Sequence, residues 1–382
     1  MLRKGDGYRN IIVQMKDSSK NDGVRGAGPD TGEGAGFGGA NITTGSLGEF
    51  GLIDRLAEFG VAENLANAES VLTGIGDDAA VVSTPSGEML LTTDAIVDGV
   101  HFRSVDERWY DIGWKCTVSN LSDIAAMGGV PDHALVTLGI PKGASAVTFT
   151  DFYSGMNEAF AEFGGRVVGG DVVSSPTMFV NIALTGHPSH DAGGATAWLR
   201  RDAARVGDLV CVTGALGGSA GGLEVLLAGD TNPSGQALVD RHFRPTPRVK
   251  TGIQLVESGV LCAMDVSDGL IGDLEKLARA SDVEIAIDMA DVPLPTELIF
   301  MFGTSAIDLA LGGGEDYELV FTAPENIVEA LRRPRGQGTA GIHVIGRVAG
   351  DEVPGGDVKV FDAGGALYDP IRKGWDHLDD GR

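Results

Sequence analysis

Cysteine, aromatic residues and positive charge are all in short supply in this 382-residue sequence. The three cysteines, Cys116, Cys211 and Cys262, include no Cys-x-x-Cys pair, which excludes a disulfide framework and a thiolate zinc site. Cys211 and Cys262 sit inside apolar runs, so buried, reduced thiols in a cytoplasmic protein are expected. Seven scattered histidines give no zinc spacing. Basic residues number 29 against 54 acidic ones, a formal net charge of −25. That balance excludes sequence-independent nucleic-acid binding and docking on an anionic membrane. For most of the acids, a solvated surface is explanation enough. No apolar run is long enough to span a bilayer, and no apolar segment follows Met1-Leu2-Arg3-Lys4 as a secretory signal would require. Gly214-Ala215-Leu216-Gly217-Gly218-Ser219 lacks the Gly-Lys-Ser/Thr ending of a Walker A loop. There is no supported dinucleotide fingerprint and no nucleophile elbow.

What the sequence does have is glycine, 58 residues of it, and carboxylates placed beside glycine where apolar runs end. Met89-Leu90-Leu91 runs into Thr92-Thr93-Asp94, with Asp98 and His101-Phe102 close behind. Gly76-Asp77-Asp78 precedes Ala79-Ala80-Val81-Val82. Val167-Val168 runs into Gly169-Gly170-Asp171, and Cys262-Ala263-Met264 into Asp265-Val266-Ser267-Asp268-Gly269. Packing explains such acids poorly, whereas hard cations take carboxylate and hydroxyl oxygens. Singly, each segment has a plainer reading: an Asx turn at Asp77-Asp78, a helix N-cap at Thr92-Thr93-Asp94, a buried ion pair for Asp123, a glycine turn at Gly312-Gly313-Gly314-Glu315-Asp316. Asp123 stands in the small, apolar helical stretch Asn120-Leu121-Ser122-Asp123-Ile124-Ala125-Ala126-Met127, where an unpaired acid is costly to bury. Together, five acid-bearing glycine turns without an obvious nucleophile point to positioning plus metal electrostatics, the means by which phosphoryl groups are transferred.

Residues 1–46 are polar and glycine-rich and read as a flexible extension. An amphipathic helix is expected over 48–59, then strands at 78–82 and 88–93 about a turn at Pro85-Ser86-Gly87. A helix from about Asp111 to Met127 follows, then a strand at 134–140, a helix at 148–163 and strands at 166–168 and 178–186. Composition shifts at Ser189–Ala197, which sets domains of 47–189 and 190–382. The second half opens with an expected strand into a glycine turn over 207–214; helices are expected at 219–227, 248–258 and 270–280, and further strands at 261–265, 283–287, 342–348 and 357–361. Strands and helices mix without strict alternation, so the fold class is α+β (mixed α/β) with two domains.

In order along residues 47–382, Gly76-Asp77-Asp78-Ala79-Ala80, Thr92-Thr93-Asp94 with His101-Phe102, Asn120 to Gly128, Gly169-Gly170-Asp171, Asp265 to Leu270 and Gly313-Gly314-Glu315-Asp316-Tyr317-Glu318-Leu319 resemble the thiamine-monophosphate kinase family. The resemblance implies the two-domain fold of aminoimidazole ribonucleotide synthetase, with N-terminal domains pairing in a homodimer. It implies ATP, several Mg2+ ions and phosphorylation of thiamine monophosphate to the diphosphate, without a general base. It assigns metal-ligand positions to Asp77 or Asp78, Thr92, Thr93, Asp94, Asp123, Asp171, Asp265 and Asp268. Nucleotide contacts fall to Tyr153, Gly170, Asp171, Arg201 and Ser267, and substrate contacts to His101, Glu315 or Asp316, and Trp375. One departure is the segment Arg201-Asp202-Ala203-Ala204, where the family has Arg-Ser-Gly-Ala. The other is the N-terminal extension. A sister ATP-dependent synthetase and a non-catalytic nucleotide-binding scaffold are the alternatives; a selenophosphate synthetase would need a reactive cysteine that residues 1–50 lack.

Overall fold

The computed structural model describes residues 51–53, 69–106, 108–333, 341–350, 353–371 and 374–375. The expected extension over 1–46 lies outside these residues, and so does most of the helix expected over 48–59, of which 51–53 are helical. Nearly all of the chain's described part is organised around two seven-stranded sheets.

In the first sheet, β1 (Val71–Thr73), β2 (Ala80–Thr84) and β3 (Gly87–Val97) form an antiparallel meander, and the sheet continues through β6 (Phe179–His190), β4 (Gly129–Ile140) and β5 (Val167–Ser174). The β4–β5 pair is parallel, and the short β7 (Thr196–Ala197) pairs with the end of β6. Helices α1 (Trp109–Ala126) and α2 (Ala146–Phe163) cover this sheet, packing Ile112, Leu121, Ile124, Phe152 and Met156 on Val81, Leu90, Val136 and Ile182.

The second sheet runs β14 (Leu367–Tyr368), β13 (Asp357–Phe361), β10 (Glu284–Asp288), β12 (His343–Gly350), β8 (Leu209–Val212), β11 (Leu319–Ala323) and β9 (Cys262–Asp265). Strand β11 is buried along its whole length, and its side chains alternate between two cores. Val320 joins Leu270, Leu274 and Leu277 of α6 (Leu270–Ser281). Leu319 and Phe321 join Val249, Leu255 and Val256 of α5 (Val249–Glu257). Ala125 and Ala126 of α1 belong to that second core, so α1 is shared by both sheets' packing and buries fourteen of its eighteen residues. A helix buried nearly all round has no use for polar side chains unless they serve something internal, and α1 carries Lys115, Ser119, Asn120, Ser122 and Asp123.

Helices α3 (Gly218–Ala228), α4 (Pro233–Phe243), α7 (Thr296–Phe302) and α8 (Ala306–Gly312) build a small helical layer about Leu238, Phe243 and Leu298. Helix α9 (Glu325–Arg332) packs Val328 and Leu331 on the core that α5 shares. The sequence reading omitted α4, α7, α8, α9 and the strands β1, β7, β11 and β14; the other expected elements that fall on described residues sit within a few residues of their places. No described helix is long and apolar enough to cross a membrane. All three cysteines are free and buried.

Candidate active site

A cavity of about 770 Å³ opens between elements of the two sheets. Asp78 enters it just ahead of β2, Asp123 from the last turn of α1 and Asp265 from the end of β9. One carboxylate oxygen from each lies within 4.8 Å of the other two. Short side chains fix their orientation. The Thr92 hydroxyl donates to Asp123 Oδ2, and the Ser122 hydroxyl donates to Asp265 Oδ2 at 2.6 Å. Arg201 grips Asp78 with two hydrogen bonds, at 2.5 and 3.2 Å. Asp77 turns to backbone, accepting from the amides of Asp78 and Arg201 at 3.0 and 3.3 Å.

One guanidinium cannot neutralise this many acids. Burial, then repulsion from Asp94, Asp265 and Asp78, pushes the Asp123 carboxyl well above the carboxylate range. Burial and neighbouring acids do the same to Asp265. Burial and Asp78 carry Asp77 up to about 7. Like charges crowded in a low-dielectric pocket resist ionising together. A divalent cation resolves that conflict, and an all-oxygen donor set of carboxylates and threonine hydroxyls suits a hard one.

Thr92, Thr93 and Asp94 lie inside β3, which runs on to Val97, past the expected end at 93, so the helix N-cap reading does not apply. Thr93 donates to the Ile182 carbonyl and accepts from Asn181 at 2.9 Å, while the Asp94 amide donates to Asn120 Oδ1 at 3.1 Å. His101, also on the cavity, accepts the Val97 amide at Nδ1.

The turn after β9 is built differently. Asp273, fully buried in α6, accepts from the amides of Ser267, Asp268 and Gly269 at 3.0 to 3.2 Å. Lys276 bridges Asp273 Oδ1 at 2.7 Å and Asp268 Oδ2 at 2.5 Å. Ser267 and Asp268 thus reach the cavity on a braced turn. The Trp375 amide donates to the Asp268 carbonyl at 2.9 Å, which brings its half-exposed indole to the same cavity.

Glu315 and Asp316 separate cleanly. Glu315 faces the cavity with a left-handed backbone, φ 65°, and its carboxylate meets Lys115 Nζ at 2.7 Å. Asp316 turns the other way and caps α3, accepting from Gly217 and Ser219 amides at 2.5 and 3.0 Å. Burial pushes Asp316 up to about 7 even so. A β-carbon on Gly314 would sit 2.4 Å from the Ser267 carbonyl oxygen, so the Gly-Gly-Glu-Asp segment lies directly on the braced turn.

Three expected nucleotide positions stand apart. Gly170 and Asp171 are exposed on the edge strand β5, where Asp171 Oδ1 accepts its neighbour's amide at 2.8 Å. Tyr153 packs on Phe152 in α2. None of the three lines the cavity within one chain. Conversely, Lys115, His242, Asp273 and Lys276 belong to the site or brace it, and the sequence reading did not single them out. Only Lys115 carried a signal, as the lone cation in a helix whose other polar residues were already suspect.

This fold and acid-lined cavity define a class. Residues 76–187 match the N-terminal domain of AIR synthase related proteins, and residues 205–359 match their C-terminal domain. Among curated relatives, the thiamine-monophosphate kinase of Aquifex aeolicus (strain VF5) is 39% identical over 286 residues, 73% of this chain and 87% of that one. That of Bacillus subtilis (strain 168) is 36% identical over 270 residues, covering 69% and 81%. The solved structure of AaThiL complexed with AMPPCP and TMP superposes with a TM-score of 0.74 at 34% identity, covering 89% of this chain and all of that one. The chain belongs to the thiamine-monophosphate kinase family.

Proposed function

We infer that this chain phosphorylates thiamine monophosphate with ATP, giving thiamine diphosphate and ADP. The observation that carries this reading is the crowded set Asp78, Asp123 and Asp265, turned into one cavity with Glu315 and Trp375. Relatives sharing most of the chain's length carry that activity in their names, and AaThiL holds AMPPCP and TMP together.

Asp78, Asp123 and Asp265 would hold Mg2+, with Thr92, Thr93, Asp94 and Asp268 completing the ligand sets of several ions. Bound Mg2+ would supply charge neutralisation between two anionic reactants and across the transferring phosphoryl group. The chain's own work is placement. Thr92 and Ser122 hold Asp123 and Asp265 in fixed rotamers. Arg201 holds Asp78 and stands beside the nucleotide, with Ser267 on the braced turn. His101, Glu315 and Trp375 receive thiamine monophosphate. A substrate phosphate oxygen attacks the γ-phosphorus and ADP leaves in line. Because that oxygen is already ionised near neutral pH, no side chain has to remove a proton.

We further propose a cytoplasmic homodimer, with residues 47–189 as the pairing and metal-holding domain and 190–382 as the domain that completes the site. Strand β5 supports this: it is a sheet edge exposing Val168, Val172 and Val173 beside Leu135 of β4, a patch that would otherwise invite aggregation. Pairing there would let Gly170, Asp171 and Tyr153 serve a nucleotide at the interface. A monomer by sedimentation, fully active, would overturn it.

ADP release measured with ATP and Mg2+, with and without thiamine monophosphate, tests the reaction. Release that depends on thiamine monophosphate and yields the diphosphate is expected. Nucleotide binding without such turnover would overturn the reading in favour of a scaffold or a sister synthetase.

A further inference from the structure

Lys115, Ser119 and Asp123 recur every four residues on α1 and all line the cavity. At 1.5 Å per residue, Lys115 and Asp123 are separated by about 12 Å along the helix axis. One face of one helix therefore presents a carboxylate cluster at one end and a cation at the other. The cation is not spare. Lys115 Nζ is 2.7 Å from Glu315 Oε2 and 3.4 to 3.5 Å from both ring nitrogens of His242. His242 Nδ1 is 3.0 Å from the Ser219 hydroxyl and 3.7 Å from Glu315 Oε2. All three supporting residues, Lys115, His242 and Ser219, are buried, and Glu315 alone of the group is partly open to the cavity.

We infer that Lys115 is a positioning and specificity-determining residue: backed by His242 and Ser219, it fixes the Glu315 carboxylate as the acceptor for the exocyclic amine of the substrate's aminopyrimidine. The inference rests on thiamine monophosphate being the substrate. Burial alone would favour a protonated Glu315, but Lys115 outweighs it and the carboxyl stays below its ordinary range. Burial and then Lys115 push His242 down to about 3, so the imidazole is neutral and the ammonium is the group's single cation. An anionic acceptor at that spot takes an N–H donor and repels a carbonyl. The opposite end of the α1 face receives the phosphate, so the two ends of the substrate are read at a fixed separation.

The test is steady-state kinetics of Lys115→Met, Glu315→Gln and the double variant, with thiamine monophosphate and with the analogue whose exocyclic amine is replaced by a carbonyl oxygen. Losing one charge-assisted hydrogen bond should raise KM for thiamine monophosphate about tenfold or more in each single variant. It should leave kcat and KM for ATP within about threefold, as expected for binding lost equally from ground and transition states. The double variant should resemble the singles, because the two side chains act as a unit. The unaltered enzyme should discriminate against the oxo analogue by about tenfold or more, and Glu315→Gln should erase that preference. An unchanged KM in Lys115→Met, a loss confined to kcat, or additive effects would overturn the inference. If Lys115→Met does not fold, an oxo-analogue preference that survives in Glu315→Gln overturns it independently. Failure of the underlying reaction would look different: the unaltered protein would show no ADP release that depends on thiamine monophosphate.

Discussion

Two acid-rich regions meet in the same cavity and solve the same problem in opposite ways. In the turn after β9, Asp268 and Asp273 are neutralised from within: Lys276 bridges both, and three backbone amides point at Asp273. At the convergence of Asp78, Asp123 and Asp265, Arg201 pairs with Asp78, while burial and mutual repulsion drive the Asp123 and Asp265 carboxyls well above the carboxylate range; burial raises Asp273 too, but against the pull of Lys276. The first arrangement holds the protein together. The second costs folding free energy as it stands and makes sense only when a cation arrives with substrate. Net acidity therefore says little about a site; what matters is whether the compensation is built in or left out.

The largest effect should come from Asp123→Asn. Losing one carboxylate from the uncompensated set should lower kcat by about 10³-fold, several kcal/mol of transition-state stabilisation. The melting temperature of the metal-free protein should hold or rise, because a repulsive charge is gone. A variant that keeps normal turnover would place the chemistry elsewhere. Asp273→Ala should do the reverse. Stranding Lys276 and three amides should cost about 3 kcal/mol of stability, read by denaturant unfolding, with a smaller change in kcat.

A third prediction concerns pH, since burial raises acids in both regions, Asp273 included. Asp77 moves from its ordinary 3.8 to about 7 on folding, and Asp123 and Asp265 move the same way. The folded state then binds more protons than the unfolded state between about pH 4 and 7, so stability should fall as pH rises through that window. Thermal melting of the metal-free protein should be lower at pH 8 than at pH 5.5. Added Mg2+ should close the gap by stabilising the pH 8 sample more. A Mg2+ shift of equal size at both pH values would contradict the assignment. The smallest effect is expected from Trp375→Ala. The indole is 49% exposed, so stability should barely change. KM for thiamine monophosphate should rise by about three- to tenfold, the range of one aromatic stacking contact.

Much of this was legible beforehand, for physical reasons. Asp123 and Asp265 stood out because an acid in an apolar helix, or at the end of an apolar strand, needs a partner that the local sequence does not supply. The alternatives at Asp77 or Asp78 and at Glu315 or Asp316 could not be separated, since adjacent residues differ only in which way they point, and the backbone decides that. Lys115 and His242 were passed over because they are 127 residues apart, and nothing near either announces the other. Asp273 hid for a different reason: an acid in the first turn of an amphipathic helix is ordinary, and its burial follows from the turn folding back over it. Helices α7 and α8 escaped notice because seven residues are too few to show a period. Arg201 was expected beside the nucleotide; the structure puts it on the cavity, forked onto Asp78.

Helix α1 crosses α2 almost backbone on backbone. A β-carbon on Gly113 would lie 2.0 Å from the Phe152 carbonyl oxygen, and one on Gly155 would lie 1.8 Å from that of Tyr110. Such a crossing leaves α1 no freedom to slide or roll, and α1 is the element that spaces Lys115 from Asp123. The helix serves as a gauge with a fixed jaw at each end. On the proposed binding mode, a ligand shorter by its phosphate would seat at one jaw without being worked upon, and one lengthened by a methylene would fall out of register at the other. The spacing itself is the helix's own rise, and the glycine crossing holds that helix in place.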